Sequence, residues 1–197
     1  VRVLSALDLW DSIYKNGVWS SDKNSGPGSD PQVSADWLVF LQKFIAENNI
    51  KSILDLGSGD GRLVSKLNLE NMSYVGIEAS NAAVALFYKN NKDKDYRIIN
   101  SSIIDEEYPQ SDLIIIKDVL QHNPNSDVNK ILNKIKESCN HALICEDFSG
   151  TTNSDINPGE YRPISLELIK LSLNASLLFK YDAAGFTKAV YYYKREA

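Results

Sequence analysis

Apolar residues along this chain switch between two periods. Leu4, Leu7, Leu9, Trp10 and Ile13 recur at helical spacing and predict a helix over 4–15. Residues 16–31 lose that period and are rich in Gly, Ser, Asp and Pro, which predicts a loop. Helical spacing returns with Trp37, Leu38, Phe40, Leu41, Phe44 and Ile45, behind Ser34 as a cap, and runs to about Asn48. From there short apolar runs alternate with amphipathic stretches. They predict strand 52–57, helix 61–69, strand 73–78, helix 81–90, strands 96–101 and 112–117, helix 126–138 and strand 141–146. Leu113-Ile114-Ile115-Ile116 is apolar without interruption, the pattern of a central strand covered on both faces. A polar loop over 149–163 and a helix over 164–172 precede strands near 175–181 and 187–194. Only the short Ala183-Ala184-Gly185 turn joins those two, so they must be antiparallel. The whole predicts an α/β fold: a mostly parallel sheet with helices on both faces, ending in an antiparallel hairpin.

One junction in this pattern carries chemistry. Ile53-Leu54-Asp55-Leu56-Gly57-Ser58-Gly59-Asp60-Gly61 is an apolar strand ending in three glycines at alternate positions. Such a turn lets a ligand approach the backbone, and a helix behind it would aim free N–H groups at that ligand. The spacing departs from the dinucleotide fingerprint, and no Gly-Lys-Ser/Thr follows, which excludes a P-loop. Glu78 ends the next strand about 20 residues on, where an acid can accept both hydroxyls of a ribose.

The Asp-x-Gly-x-Gly-x-Gly form resembles motif I of the class I S-adenosylmethionine (SAM)-dependent methyltransferases. That resemblance implies a Rossmann-like seven-stranded sheet and SAM as cofactor. It places Gly57, Ser58 and Gly59 under the methionine part, Asp55 by its ammonium, and Glu78 with Ala79 at the ribose. Ser102 stands where the family usually has an acid for the adenine amino group, and Ile103 can pack on the ring. At the end of the central strand, Lys117-Asp118-Val119-Leu120-Gln121-His122 should line the site. In the family a residue here lies by the methionine, which points to Lys117, and a histidine a little later lies near the acceptor. His122 and Asp118 are therefore the candidate bases, with a structural His122 as the bland alternative.

Two further segments are similar to a small bacterial subgroup of that family, although Ser58-Gly59-Asp60-Gly61 departs from the subgroup's Cys-Gly-Asp-Trp. Tyr14 to Trp19 and Ser25-Gly26-Pro27-Gly28-Ser29 suggest a lid in which Tyr14, Trp19, Ser25, Gly28 and Ser29 reach the cofactor. Tyr161-Arg162, in the loop after the fifth strand, offer an acceptor contact. Arg162 either forks onto a carboxylate or phosphate, or pins its own loop. One domain over 1–197 is expected, with residues 1–49 as helices and lid and 50–197 as the cofactor-binding core.

Composition narrows the partners. A net charge of −5 with no long basic run argues against nucleic acid. No apolar stretch approaches a membrane span, and Val1 opens the chain without a signal-peptide pattern. Cys139 and Cys145 show no metal or disulfide spacing, so a cytoplasmic protein with free thiols and no metal is expected. The function expected is methyl transfer to a small molecule, anionic or hydroxylic, at oxygen. A macromolecule methyltransferase and a non-catalytic SAM-binding protein stand as alternatives.

Overall fold

The computed structural model describes residues 5–150, 153–166 and 173–196. Its framework is one seven-stranded sheet: β1 (Ser52–Leu56), β2 (Ser73–Ile77), β3 (Arg97–Ile99), β4 (Ser111–Lys117), β5 (Cys139–Asp147), β6 (Ser176–Ala183) and β7 (Phe186–Lys194). The order across the sheet is β3-β2-β1-β4-β5-β7-β6. Strands β1 to β5 pair in parallel, and β7 inserts antiparallel between β5 and β6. The two-residue connection Ala184-Gly185 has positive φ at both positions, the conformation that matches strand twist in a tight hairpin. The expected α/β class and hairpin are borne out.

Alternate residues of the central strands feed two cores. Ile114 and Ile116 join Val128, Ile131, Leu132 and Ile135 of α4 (Asn125–Ser138) on one face. Leu113 and Ile115 join Trp37, Leu41, Phe44 and Ile45 of α2 (Ala35–Glu47) on the other, with Phe87 of α3 (Asn81–Asn90). Fully burying each such side chain contributes about 1.5–3 kcal/mol, so the uninterrupted apolar run of β4 is required by both layers. Helix α1 (Ala6–Lys15) opens with a capping box between Ser5 and Asp8 and is fastened to the start of α3, where Asp11 accepts from Ala82 N–H and the Ser80 hydroxyl.

Two expectations need correction, and a third lies mostly outside the described residues. No α-helix spans 61–69; the chain makes one 3₁₀ turn, Val64–Lys66, and then extends at Leu67. The reason is tertiary: the Gln42 side chain, from α2, takes both the N–H and the carbonyl of Asn68, which a helix would have needed. Ser34 sits before α2 but does not cap it; its hydroxyl donates instead to Gly28 O. The helix expected over 164–172 falls mostly on residues 167–172, outside the described ones, and Ile164 to Leu166 are not helical.

Candidate active site

In an open α/β sheet the crevice lies outside the carboxyl ends of the strands where the order reverses, here between β1 and β4. A cavity of about 470 Å³ occupies that position. All the glycine-turn, ribose, adenine and lid residues expected from the sequence line it: Asp55, Gly57, Ser58, Gly59, Glu78, Ala79, Ser102, Ile103, Lys117, Tyr14, Trp19, Ser25, Gly28 and Ser29. Asp118, His122 and Tyr161 line it as well; Arg162 does not.

The turn after β1 is locked to the N-terminal loop. Ser25 N–H donates to Asp60 Oδ2 and Asp60 N–H donates back to Ser25 Oγ, which also meets the Tyr14 hydroxyl at 2.6 Å. Arg62 ties the pair together by donating to Asp60 and to Gly26 O. Gly59 has φ +58°, and a Cβ there would stand 2.5 Å from Ser25 Oγ, so glycine is needed for both conformation and contact. With no α-helix behind the turn, its N–H groups are not an open anion site. Gly59 N–H already donates to Glu78 Oε2.

Two acids face this end of the cavity, and neither is ion-paired among the described residues. Burial pushes the Asp55 carboxyl up to about 7 despite a hydrogen bond from the Tyr74 hydroxyl. Burial also raises Glu78, against the N–H groups of Ser80 and Gly59 that favour its charge. Ser58 Oγ is buried without a hydrogen-bond partner. Unpaired carboxylates and an orphaned hydroxyl suit a ligand with an ammonium and a diol, such as SAM. At the far end, burial keeps Ser102 and Ile103 at a relative exposure of 4% and 9%.

The opposite end is built by β4, β5 and β7. Asp118, in the left-handed region at φ +57°, is gripped by Lys117 at 2.5 Å and by Lys188 at 2.5 Å, and Lys188 also reaches Asp147 at 2.6 Å. Burial alone would raise the Asp118 carboxyl, but the two lysines hold it below its ordinary value. That removes Asp118 from the candidate bases: it is an ionised, doubly paired structural charge. Lys117 also donates a hydrogen bond to Gly28 O, fastening the N-terminal loop over the site.

His122 is placed differently. Its Nδ1 lies 3.0 Å from Glu160 O, and burial lowers its basicity, leaving the ring neutral near pH 7. A carbonyl can only accept, so Nδ1 carries the proton and Nε2 keeps its lone pair. Trp19 covers the ring at a centroid distance of 4.9 Å. The turn that carries His122 is held from beneath by Glu146, which accepts from the N–H groups of Val119, Leu120 and Gln121. Burial, then the nearby Asp118, pushes the Glu146 carboxyl up to about 8.

Arg162 turns its back on the cavity. Its guanidinium donates to the carbonyls of Leu120, Asn123 and Ser154 and to Asn125 Oδ1. Of the two readings of Arg162, the acceptor fork is thus corrected and the pin stands: it lays the 153–163 loop against residues 120–125. Sequence reasoning missed Lys188, Asp147, Asp60 and Glu146. A lysine between Thr187 and Ala189-Val190, in a strand flanked on both sides, was the available signal for Lys188.

Residues 54–141 match the family model of a methyltransferase domain. No curated protein sequence matches the chain. Among solved structures it is similar to magnesium protoporphyrin IX methyltransferase from Synechocystis PCC 6803, which carries bound SAM. That likeness has a TM-score of 0.71 at 12% identity over 100% of both chains. It is also similar to the N-methyltransferase NodS from Bradyrhizobium japonicum WM9, with a TM-score of 0.71 at 10% identity over 96% of this chain and 100% of that one. The mitomycin 7-O-methyltransferase MmcR gives a TM-score of 0.58 at 15% identity, over 80% of this chain and 53% of that one. Among the described residues no helix is long and apolar enough to cross a membrane, and no cluster could hold a metal ion.

Proposed function

We propose that the chain is a class I SAM-dependent methyltransferase and that it methylates a hydroxyl oxygen of a small neutral molecule with His122 as general base. The observation that carries this is the neutral His122 ring, whose proton is fixed on Nδ1 by Glu160 O and whose Nε2 is left to accept.

Bound SAM supplies a methyl group already activated on a sulfonium. Asp55 would hold its ammonium, Glu78 and Ala79 its ribose, Ser102 and Ile103 its adenine, with Gly57, Ser58 and Gly59 beneath. Tyr14, Trp19, Ser25, Gly28 and Ser29 act as a lid, latched by the Ser25–Asp60 pair. The lid excludes water and holds acceptor and methyl in line, which is most of what this reaction requires. The acceptor hydroxyl gives its proton to His122 Nε2 while its oxygen takes the methyl; the C–S bond breaks with its electrons left on sulfur as a thioether. An anionic acceptor finds little support. Among the described residues the three cations lining the cavity, Arg62, Lys117 and Lys188, are each matched by aspartate. Partial enclosure under a loop favours a small molecule over a macromolecule.

Two outcomes test the cofactor end. Glu78→Ala is expected to weaken SAM binding by about 1–3 kcal/mol, through loss of a buried acceptor pair; calorimetry giving unchanged affinity removes Glu78 from the ribose. The second concerns pH. Only ionised Asp55 pairs with an ammonium, and its carboxyl titrates at about 7 in the free protein. SAM affinity should therefore hold above pH 7 and fall roughly tenfold per unit below it. A flat affinity from about pH 5.5 to 7.5 would detach Asp55 from the ammonium.

The reaction itself is tested with methyl-labelled SAM and the small-molecule fraction of a cell extract, locating the label in the product by mass spectrometry. A label on nitrogen, or only in the macromolecular fraction, overturns the proposal.

A further inference from the structure

A strip of rings runs along one wall of the cavity beyond the cofactor end. Trp19, His122, Tyr161 and Phe186 follow one another with centroid separations of 4.9, 5.8 and 5.7 Å. They come from four separate segments: the N-terminal loop, the turn after β4, the loop after β5 and the first residue of β7. Trp19, Tyr161 and Phe186 belong to neither core cluster. Tyr161 and Phe186 are 43% and 45% exposed at the mouth, so folding leaves much of their apolar surface in water. Two of the rings are fixed in orientation by hydrogen bonds at their edges. The Tyr161 hydroxyl donates to Asp147 Oδ2 at 3.1 Å, and His122 donates to Glu160 O. Successive ring planes are tilted by 34°, 48° and 63°, so a flat ligand that lies on the face of one ring meets the next by its edge, and contact with a wall that is already ordered costs little further entropy.

We propose that this strip is the acceptor wall and that the acceptor is a planar aromatic alcohol, a phenol of one or two fused rings. It lies against Tyr161 and Phe186 with its hydroxyl edge at His122 Nε2. The inference rests on the reading of His122 as the base for a hydroxyl and adds the class of molecule that bears it. The matched charges at Lys188, Asp118 and Asp147 fit the same conclusion, because a neutral ring needs no counter-ion.

The test uses protein loaded with S-adenosylhomocysteine and two probes, 2-naphthol and its saturated counterpart decahydro-2-naphthol, measured by calorimetry. The saturated alcohol is the greasier one, so simple hydrophobic capture would favour it. The wall predicts the reverse, with 2-naphthol binding roughly tenfold tighter. Phe186→Ser should abolish most of that preference and leave S-adenosylhomocysteine affinity unchanged. Phe186→Leu, which keeps apolar bulk, should retain the saturated alcohol while losing the preference, and so guards against a folding defect. Equal binding of the two probes, or a preference that survives both variants, overturns the aromatic wall even if oxygen methylation is observed. Preferential binding of 2-naphthol with no transfer from SAM upholds the aromatic wall and overturns the phenol as its acceptor.

Discussion

Replacing His122 by alanine is expected to lower turnover on a hydroxyl acceptor by about 10²–10⁴ while SAM affinity barely moves, the effect of removing a positioned base. The split follows from the geometry. His122 touches the acceptor end of the cavity, is covered by Trp19, and is held by Glu160 O and the turn that Glu146 fastens. None of the residues assigned to adenosine or to the ammonium touches it. Single-turnover rates with SAM already bound isolate the step, and calorimetry measures the cofactor separately. A His122→Ala enzyme with an unaltered rate would make the imidazole a structural ring and the acceptor one that needs no deprotonation.

The largest effect on stability is expected from Lys188→Met. Lys188 is 2% exposed and joins Asp118 to Asp147, so its removal leaves Asp147 without a cation in the protein interior. Breaking a buried ion network in this way costs about 3–5 kcal/mol, to be read as a shift in the urea midpoint at constant slope. Asp147→Asn in the same chain should recover much of the loss. A shift below about 1 kcal/mol would mean that water reaches the cluster and screens it. Acid should act on the same place. The lysines hold Asp118 below its ordinary range, so its contribution is complete above the usual carboxylate pKa and is lost as pH falls through the lower native value.

The strands were legible because parallel strands covered on both sides must be apolar at every position, as Leu113 to Ile116 are. The glycine turn and Glu78 were legible because backbone approach and a strand-end acid leave local marks. The missing helix after Gly61 was not legible, since it is prevented by Gln42, a residue from a different element. Arg162 was legible only as a choice between an acceptor fork and a loop pin. A guanidinium serves a ligand or several carbonyls equally well, and only the placement of residues 120–125 decides between them. Asp118 looked like a free acid because its second lysine lies 70 residues further along the chain.

The hairpin turn at Ala184-Gly185 separates a replaceable rim from a fixed floor. Phe186 stands directly beside it, and the turn's conformation is set by its own two residues, whatever side chain follows. A change of side chain at this tip can therefore alter the shape of the cavity mouth while the strand ends that carry Asp55 and Glu78 stay untouched.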